Sequence, residues 1–321
     1  MDLRLAIDVI RTFTVILGGL LAGYCLRKSG RLSEETGSAI NRWAMAYLQP
    51  IVIILALWVM DRPGWREIAL PVYAALLIVL MWPVSLGMAR ALGLPRGGKG
   101  AFIGSGMFSN VGYTYGTFIA FVALGPQGAA LGSLYCLSFS PLFYTLGFYL
   151  GRRYAPGAKH SALAALLGLL RERHTLYPIL SIFVGLGLSL SGVPAPAETA
   201  FVLDLGLPLV TGVFLIAIGL GLRLSAVRLF WRECLQMHLA KFVLCPTLGL
   251  GLAYLFGYFS PGNHALLKLA IIQSTAPTAI MSVLLADLFD LDRRLAGALW
   301  LTTNITAIVL APLVLVIVRL L

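Results

Sequence analysis

Charge is scarce in this chain. Asp, Glu, Lys and Arg make up 12% of its 321 residues, against about 25% in an ordinary soluble domain. Acids are scarcest, with 13 Asp and Glu beside 24 Lys and Arg. No paired acids sit in facing apolar segments, and neither HExxH nor GxSxG occurs. Metalloprotease, serine-hydrolase and paired-carboxylate chemistry therefore have no residues to run on, and the chain reads as no enzyme. Cysteine is nearly as rare. Cys25, Cys136, Cys234 and Cys245 lie in or beside apolar runs with no CxxC or metal-ligand spacing, so buried small hydrophobes are expected rather than a disulfide framework or a metal site. No cofactor is implied. A cleavable signal peptide is also missing: the first apolar run leads into Arg27, Lys28 and Arg31 without a small-residue cleavage site, so it reads as a retained span.

What the chain has instead is apolar length. Hydrophobic residues make up 59% of it, and runs of about 20 recur between short basic or Pro/Gly-rich joints. That pattern predicts an all-α polytopic membrane protein whose partner is the lipid bilayer. A transmembrane β-barrel would show alternating strands of about 10 residues, which are absent. The formal net charge of +11 does not indicate nucleic acid, because Lys and Arg sit in the joints rather than along one face.

About ten transmembrane spans are expected, at 7–26, 39–59, 68–91, 100–122, 127–150, 176–191, 200–222, 235–258, 265–288 and 295–318. They divide as five plus five: a first repeat over 1–150, a cytoplasmic linker over 151–175, and a second repeat over 176–321. An odd number of spans per half gives the repeats inverted topology. Sixteen Lys and Arg fall in joints 1–2, 3–4, 5–6, 7–8 and 9–10, against six on the other side. That asymmetry marks the first side as cytoplasmic and puts both termini outside an inner or plasma membrane. In the long joint, apolar Ser161–Leu170 between basic flanks reads as an amphipathic surface helix or a plain linker.

Spans 4 and 9 are interrupted near their middles, by Ser109-Asn110-Val111-Gly112-Tyr113-Thr114-Tyr115-Gly116 and by Gln273-Ser274-Thr275-Ala276-Pro277-Thr278-Ala279. Broken backbone at membrane depth survives only inside protein or against a water-filled cavity. A matched pair of breaks points to the midplane site of a secondary transporter. Pro277 cannot donate a hydrogen bond, and it is expected to open a new half-helix capped by Ser274 or Thr275, whose free N–H groups would suit an anion. Asn110 can donate and accept, so it suits a carboxylate oxygen, a cation or interhelical glue. The candidate substrate-binding residues are Asn110, Gly112, Tyr113, Thr114, Ser274, Thr275, Pro277 and Thr278.

The stretch Ala276-Pro277-Thr278-Ala279, then Leu285-Ala286-Asp287 and Asp292, resembles span 9 of the auxin efflux carrier family of permeases. Leu301-Thr302-Thr303-Asn304 and Ala311-Pro312-Leu313 continue the likeness. Ser109-Asn110-Val111-Gly112 is similar to the family's span 4 motif, and Gly23-Tyr24, Arg27-Lys28-Ser29-Gly30 and Pro50 fit its first two spans. The resemblance covers nearly the whole chain. It implies a fold like that of bile-acid/sodium symporters: spans 4 and 9 broken and crossing in a core domain of spans 3–5 and 8–10, beside a scaffold of spans 1, 2, 6 and 7. It also implies carriage of small organic anions, auxin-like or dicarboxylic acids. Asn110 would be the crossover asparagine and Pro277 the crossover proline. The chain departs from the family in span 4, where Thr117 or a nearby residue stands in place of the common proline.

Ionisable residues inside spans default to functional hypotheses. Lys241 in span 8 is expected to snorkel to the cytoplasm, or else to counter a substrate carboxylate. His238, one turn earlier, is expected at the interface, and Asp287 near the inner surface. Gln273, Thr303, Asn304 and Lys241 are the candidates for ion coupling, with H+ and Na+ both open. No acid sits at the centre of span 9, which disfavours Na+. The alternatives to an anion carrier are a membrane sensor on a transporter fold, or a sodium-coupled symporter of another organic solute. Gly18-Gly19 with Gly23 is a candidate homodimer face, although packing within the chain explains it as well.

Overall fold

The structure, a computed structural model, describes residues 3–60, 62–155, 173–221 and 227–321. The expected surface helix over 161–170 lies outside the described residues. Helix α1 is Leu3–Lys28. Helix α2 runs Glu34–Trp43, passes through a π-helical turn Ala44–Leu48 and continues as Gln49–Val59. After a short turn at Trp65–Ile68 comes α3, Leu70–Ala91. Helix α4 is split into α4a, Arg96–Met107, and α4b, 116–124. Helix α5 starts at Pro126 and runs through Phe139–Leu142 and a π turn Phe143–Gly147 to Phe148–Tyr154. Helices α6 and α7 are Arg173–Ser191 and Thr199–Leu220. Helix α8 is Trp231–Leu239, a π turn Ala240–Leu244, and Cys245–Leu255. Helix α9 is split into α9a, His264–Ser274, and α9b, Met281–Leu288, and α10 is Arg293–Leu320.

Six helical stretches among the described residues are long and apolar enough to cross a membrane. Large apolar side chains such as Phe201, Leu205, Leu209, Leu235 and Val309 face outward, as lipid contact requires. The chain is an all-α polytopic integral membrane protein. The halves of α4 and α9 that hold 8 to 12 residues are about 12–18 Å long. Each covers roughly half of a ~30 Å hydrocarbon core, which sets the breaks near its middle.

Local sequence explains the joints. Ser33 accepts from the N–H of Thr36 to cap α2, and Asp292 accepts from Leu295 to cap α10. Gly125 takes φ 62°, a conformation a side chain disfavours, and Pro126 follows it. Together they end α4b and start α5. The π turns in α2 and α8 directly precede Pro50 and Pro246. The extra residue of a π turn relieves the clash of a proline ring with the preceding turn.

Helix α1 packs on α7, and α6 packs on α2. The small-residue face of α1 is used here: a Cβ on Gly23 would run into Ile216 of α7 and lie 2.9 Å from the Cα of Gly219. Helices α3, α4, α5, α8, α9 and α10 pack among themselves around a core of buried Phe102, Phe108, Phe118, Phe143 and Phe148. Two cysteines depart from expectation. Cys25 is exposed and Cys136 half-buried, while Cys234 and Cys245 are buried. Cys25 lies on an apolar helix, where a small apolar side chain faces lipid as readily as core.

Candidate functional site at the helix crossover

The two breaks meet. Ser109 and Thr278 form an antiparallel bridge, in which Asn110 donates its N–H to the Pro277 carbonyl at 2.7 Å and Ala279 donates to Phe108 at 2.9 Å. Each unwound segment thus satisfies part of the other, which is how non-helical backbone persists at this depth. Thr303 of α10 accepts from the N–H of Thr278 at 3.2 Å, and Asn304 donates to the Thr278 carbonyl at 2.9 Å. The Val111 carbonyl accepts from the Thr117 hydroxyl at 2.8 Å and from Gln273 Nε2 at 3.2 Å. The α4 break therefore forms without a proline. Thr117, at the departing position, supplies a hydroxyl to the break. Gly116 lets the chain close, since a Cβ there would run into Gln273 Oε1 and lie 2.9 Å from the Cα and carbonyl oxygen of Val111.

A cavity of about 190 Å3 lies against this crossover. Its core-side lining is Ser109 to Thr114, Ser133, Cys136 and Ala279 to Met281. Its other wall comes from α2, α6 and α7, chiefly Asn41, Met45, Gln49, Ile182 and Phe214. A larger cavity of about 430 Å3 shares Asn41, Ile218 and Ile280 with it and extends to Arg293 and Arg294 at the start of α10. The two cavities therefore adjoin at these three residues, and the larger one borders the end that carries these two arginines.

The hydrogen-bond network fixes the amides. Asn304 Nδ2 is held by the carbonyls of Thr278 and Trp300 at 2.9 and 2.7 Å, so its Oδ1 accepts from Asn110 Nδ2 at 3.3 Å. Asn110 Oδ1 then accepts from the hydroxyl of Thr114. One N–H of Asn110 is left over. Among the described residues, the backbone N–H groups of Gly112, Tyr113, Thr114, Ile280 and Met281 also find no acceptor in the protein. All five residues line the cavity. The lining is therefore rich in donors, without a carboxylate.

Asn110, Gly112, Tyr113 and Thr114 are at the cavity, although the Tyr113 ring is buried with its hydroxyl on Ser133 at 2.6 Å. Ser274, Thr275, Pro277 and Thr278 do not line it. Pro277 does not open the half-helix, and neither Ser274 nor Thr275 caps it. Both hydroxyls bond backwards to the Ile271 carbonyl, at 3.1 and 2.9 Å, and close the end of α9a. Pro277 is drawn into the bridge, so α9b starts at Met281. Thr278 is fully buried, with its hydroxyl on the Ser105 carbonyl at 3.1 Å. Gln273, Thr303 and Asn304 brace the crossover. Gln273 Oε1 is buried without a partner.

Lys241 contradicts the snorkelling expectation. It is 0% exposed, and its ammonium donates to Ser109 Oγ at 2.8 Å. The π turn of α8 aims it at the crossover rather than along the helix toward water. His238 is held between α8 and α10, with its ring nitrogens 2.7 Å from the Cys234 carbonyl and 2.8 Å from the Thr306 hydroxyl. Asp287 pairs with Arg293 at 2.8 Å, half-exposed, in line with its solvated place at the end of α9b. Asn41, Gln49, Phe214 and Ile280 escaped the sequence reading. Asn41, Met45 and Gln49 recur every four residues, and two amides in one apolar span were the available signal.

Comparison with known proteins finds similarity to transporters. The family described as membrane transport protein matches over residues 159–315. An uncharacterized transporter of Methanothermobacter thermautotrophicus is 23% identical over 307 residues, covering 94% of this chain and 96% of the relative. One from Methanocaldococcus jannaschii is 25% identical over 313 residues, covering 92% and 95%. Over residues 159–315 the chain is similar to the membrane transport protein family, and the matches support a transporter, consistent with a permease of the auxin efflux carrier type.

Proposed function

We propose that this transporter is a secondary carrier of small organic anions, auxin-like or dicarboxylic acids, that works by alternating access at the α4/α9 crossover. The observation that carries the reading is the donor-rich cavity beside the bridged breaks. The residues lining this space of about 190 Å3 carry five backbone N–H groups without an acceptor among the described residues, and the spare N–H of Asn110, a set that suits a small carboxylate better than a cation. The cavity also lies between two packed helix groups. In this reading α1, α2, α6 and α7 are the scaffold, α3–α5 and α8–α10 the moving core, and the halves are inverted repeats.

With the basic joints inside and both termini outside an inner or plasma membrane, the arginine-lined opening faces the cytoplasm. A negative interior then favours anion export, by roughly 2.3 kcal/mol per charge per 100 mV. The test is uptake of labelled malonate, malate and indole-3-acetate into proteoliposomes, with and without Na+ and pH gradients, for wild type and Asn110→Ala. Saturable flux of one acid, lost in the variant, is the expected result, and the gradient dependence names the coupling ion. Absence of saturable flux for every acid overturns the organic-anion assignment and favours the sensor or another solute.

A further inference from the structure

The crossover holds one charge that the network above leaves unexplained. Lys241 is fully buried at mid-helix, and among the described residues no carboxylate pairs with it. An uncompensated cation in such a place is costly and is kept only where something offsets it. Its surroundings do not. From its own helix come Cys245 one turn on and His238 one turn back, the latter already bonded to Cys234 and Thr306. From α5, Tyr135 lines a small void together with Ser109 and Cys245. Among the described residues, the hydrogen bond of Lys241 goes to Ser109.

Ser109 also links this buried charge to the cavity, because the residue bonded to the ammonium is one of those that line it. Its oxygen accepts from the ammonium, which leaves the hydroxyl hydrogen free to donate. A hydroxyl polarised by a cation behind it is a stronger donor toward an anion than an isolated one. The missing negative partner would then arrive with the solute.

We infer that Lys241, acting through the Ser109 hydroxyl, is the positioning charge that selects solutes with an anionic headgroup at the crossover. This rests on the transport reading above and sharpens it. The bound carboxylate is the counter-ion of Lys241, and a neutral isostere of the same shape leaves the lysine unpaired.

The test uses full-length protein in proteoliposomes, with Lys241→Met, Lys241→Arg and Ser109→Ala beside wild type. The readouts are kcat/KM for the carried acid and inhibition by its uncharged amide (malonamide, or indole-3-acetamide). Lys241→Met should lower kcat/KM for the acid tenfold or more and bring the apparent affinities of acid and amide together. Ser109→Ala should shift both readouts in the same direction. Lys241→Arg should keep the acid preferred and hold its kcat/KM within about threefold of wild type. Methionine matches the lysine stem, so Lys241→Met should melt within a few degrees of wild type.

If Lys241→Met keeps the wild-type preference for acid over amide, the inference fails while the carrier reading stands. If Lys241→Arg fails as badly as Lys241→Met and both melt early, Lys241 is a packing residue and the inference fails. If wild type moves no acid, the carrier reading itself falls.

Discussion

The closure of the α4 break on Gly116 can be tested by adding one methyl group. In Gly116→Ala the new Cβ would run into Gln273 Oε1 and lie 2.9 Å from both the Cα and the carbonyl oxygen of Val111. Gln273 can give way only by weakening its 3.2 Å bond to the Val111 carbonyl, at about 1 kcal/mol. The Val111 backbone can give way only by shifting the bridge. Overpacking of this kind costs about 1–3 kcal/mol, and alanine's better helix propensity returns at most about 1 kcal/mol. A net loss of about 2 kcal/mol follows, or roughly 3 °C in melting temperature for a chain of 321 residues. The assay is melting of the purified protein in detergent, with proteoliposome flux alongside. Adding Gln273→Ala removes the worst contact but not the Val111 one, so the double variant should melt above the sum of the single effects. Gly116→Ala melting within a degree of wild type with flux unchanged would refute this packing of the break.

Three further outcomes follow from the same contacts. Thr303→Val strips the buried N–H of Thr278 of its acceptor and should cost about 1–3 kcal/mol by thermal melting, while Thr303→Ser costs little. Thr211 of α7 donates to the Tyr113 carbonyl at 2.9 Å, a bond between α7 and the α4 break. Thr211→Val removes roughly 1 kcal/mol from one state and should change kcat for the acid about fivefold with the melting temperature nearly kept. Arg294→Gln at the mouth of the larger cavity should raise KM for an acid entering from that side several-fold at low salt. The effect should shrink toward 0.5 M salt, because screening shortens the reach of a surface charge, and kinetics at two ionic strengths checks it.

The helices and both breaks were legible because lipid imposes strict rules. Apolar runs of span length, basic joints, and Asn110 and Pro277 inside apolar segments leave few other structures open. What was not legible is which side of each break faces the cavity. Ser274, Thr275, Pro277 and Thr278 look like a binding loop in the sequence, yet the pairing of Ser109 with Thr278 turns them into the brace. Ile280 and Met281, which look like ordinary helix, take the lining together with Ala279 instead. Pairing between segments 169 residues apart leaves no local pattern. Lys241 was misread because snorkelling assumes a regular helix, and the π turn Ala240–Leu244 redirects the side chain. The opposite wall was missed because Asn41 and Gln49 acquire meaning only when α2 is laid against the crossover.

The central claim is that solute binds in the crossover cavity. Ile280 lines both that cavity and its approach and is 37% exposed. The most direct measurement is the rate at which a membrane-impermeant maleimide labels Ile280→Cys, in a background carrying Cys25→Ser and Cys136→Ala, with and without a carried acid at saturation. The account expects labelling from the side bearing Arg293 and Arg294, slowed tenfold or more by the acid. Labelling at the same rate with the acid at saturation would contradict it.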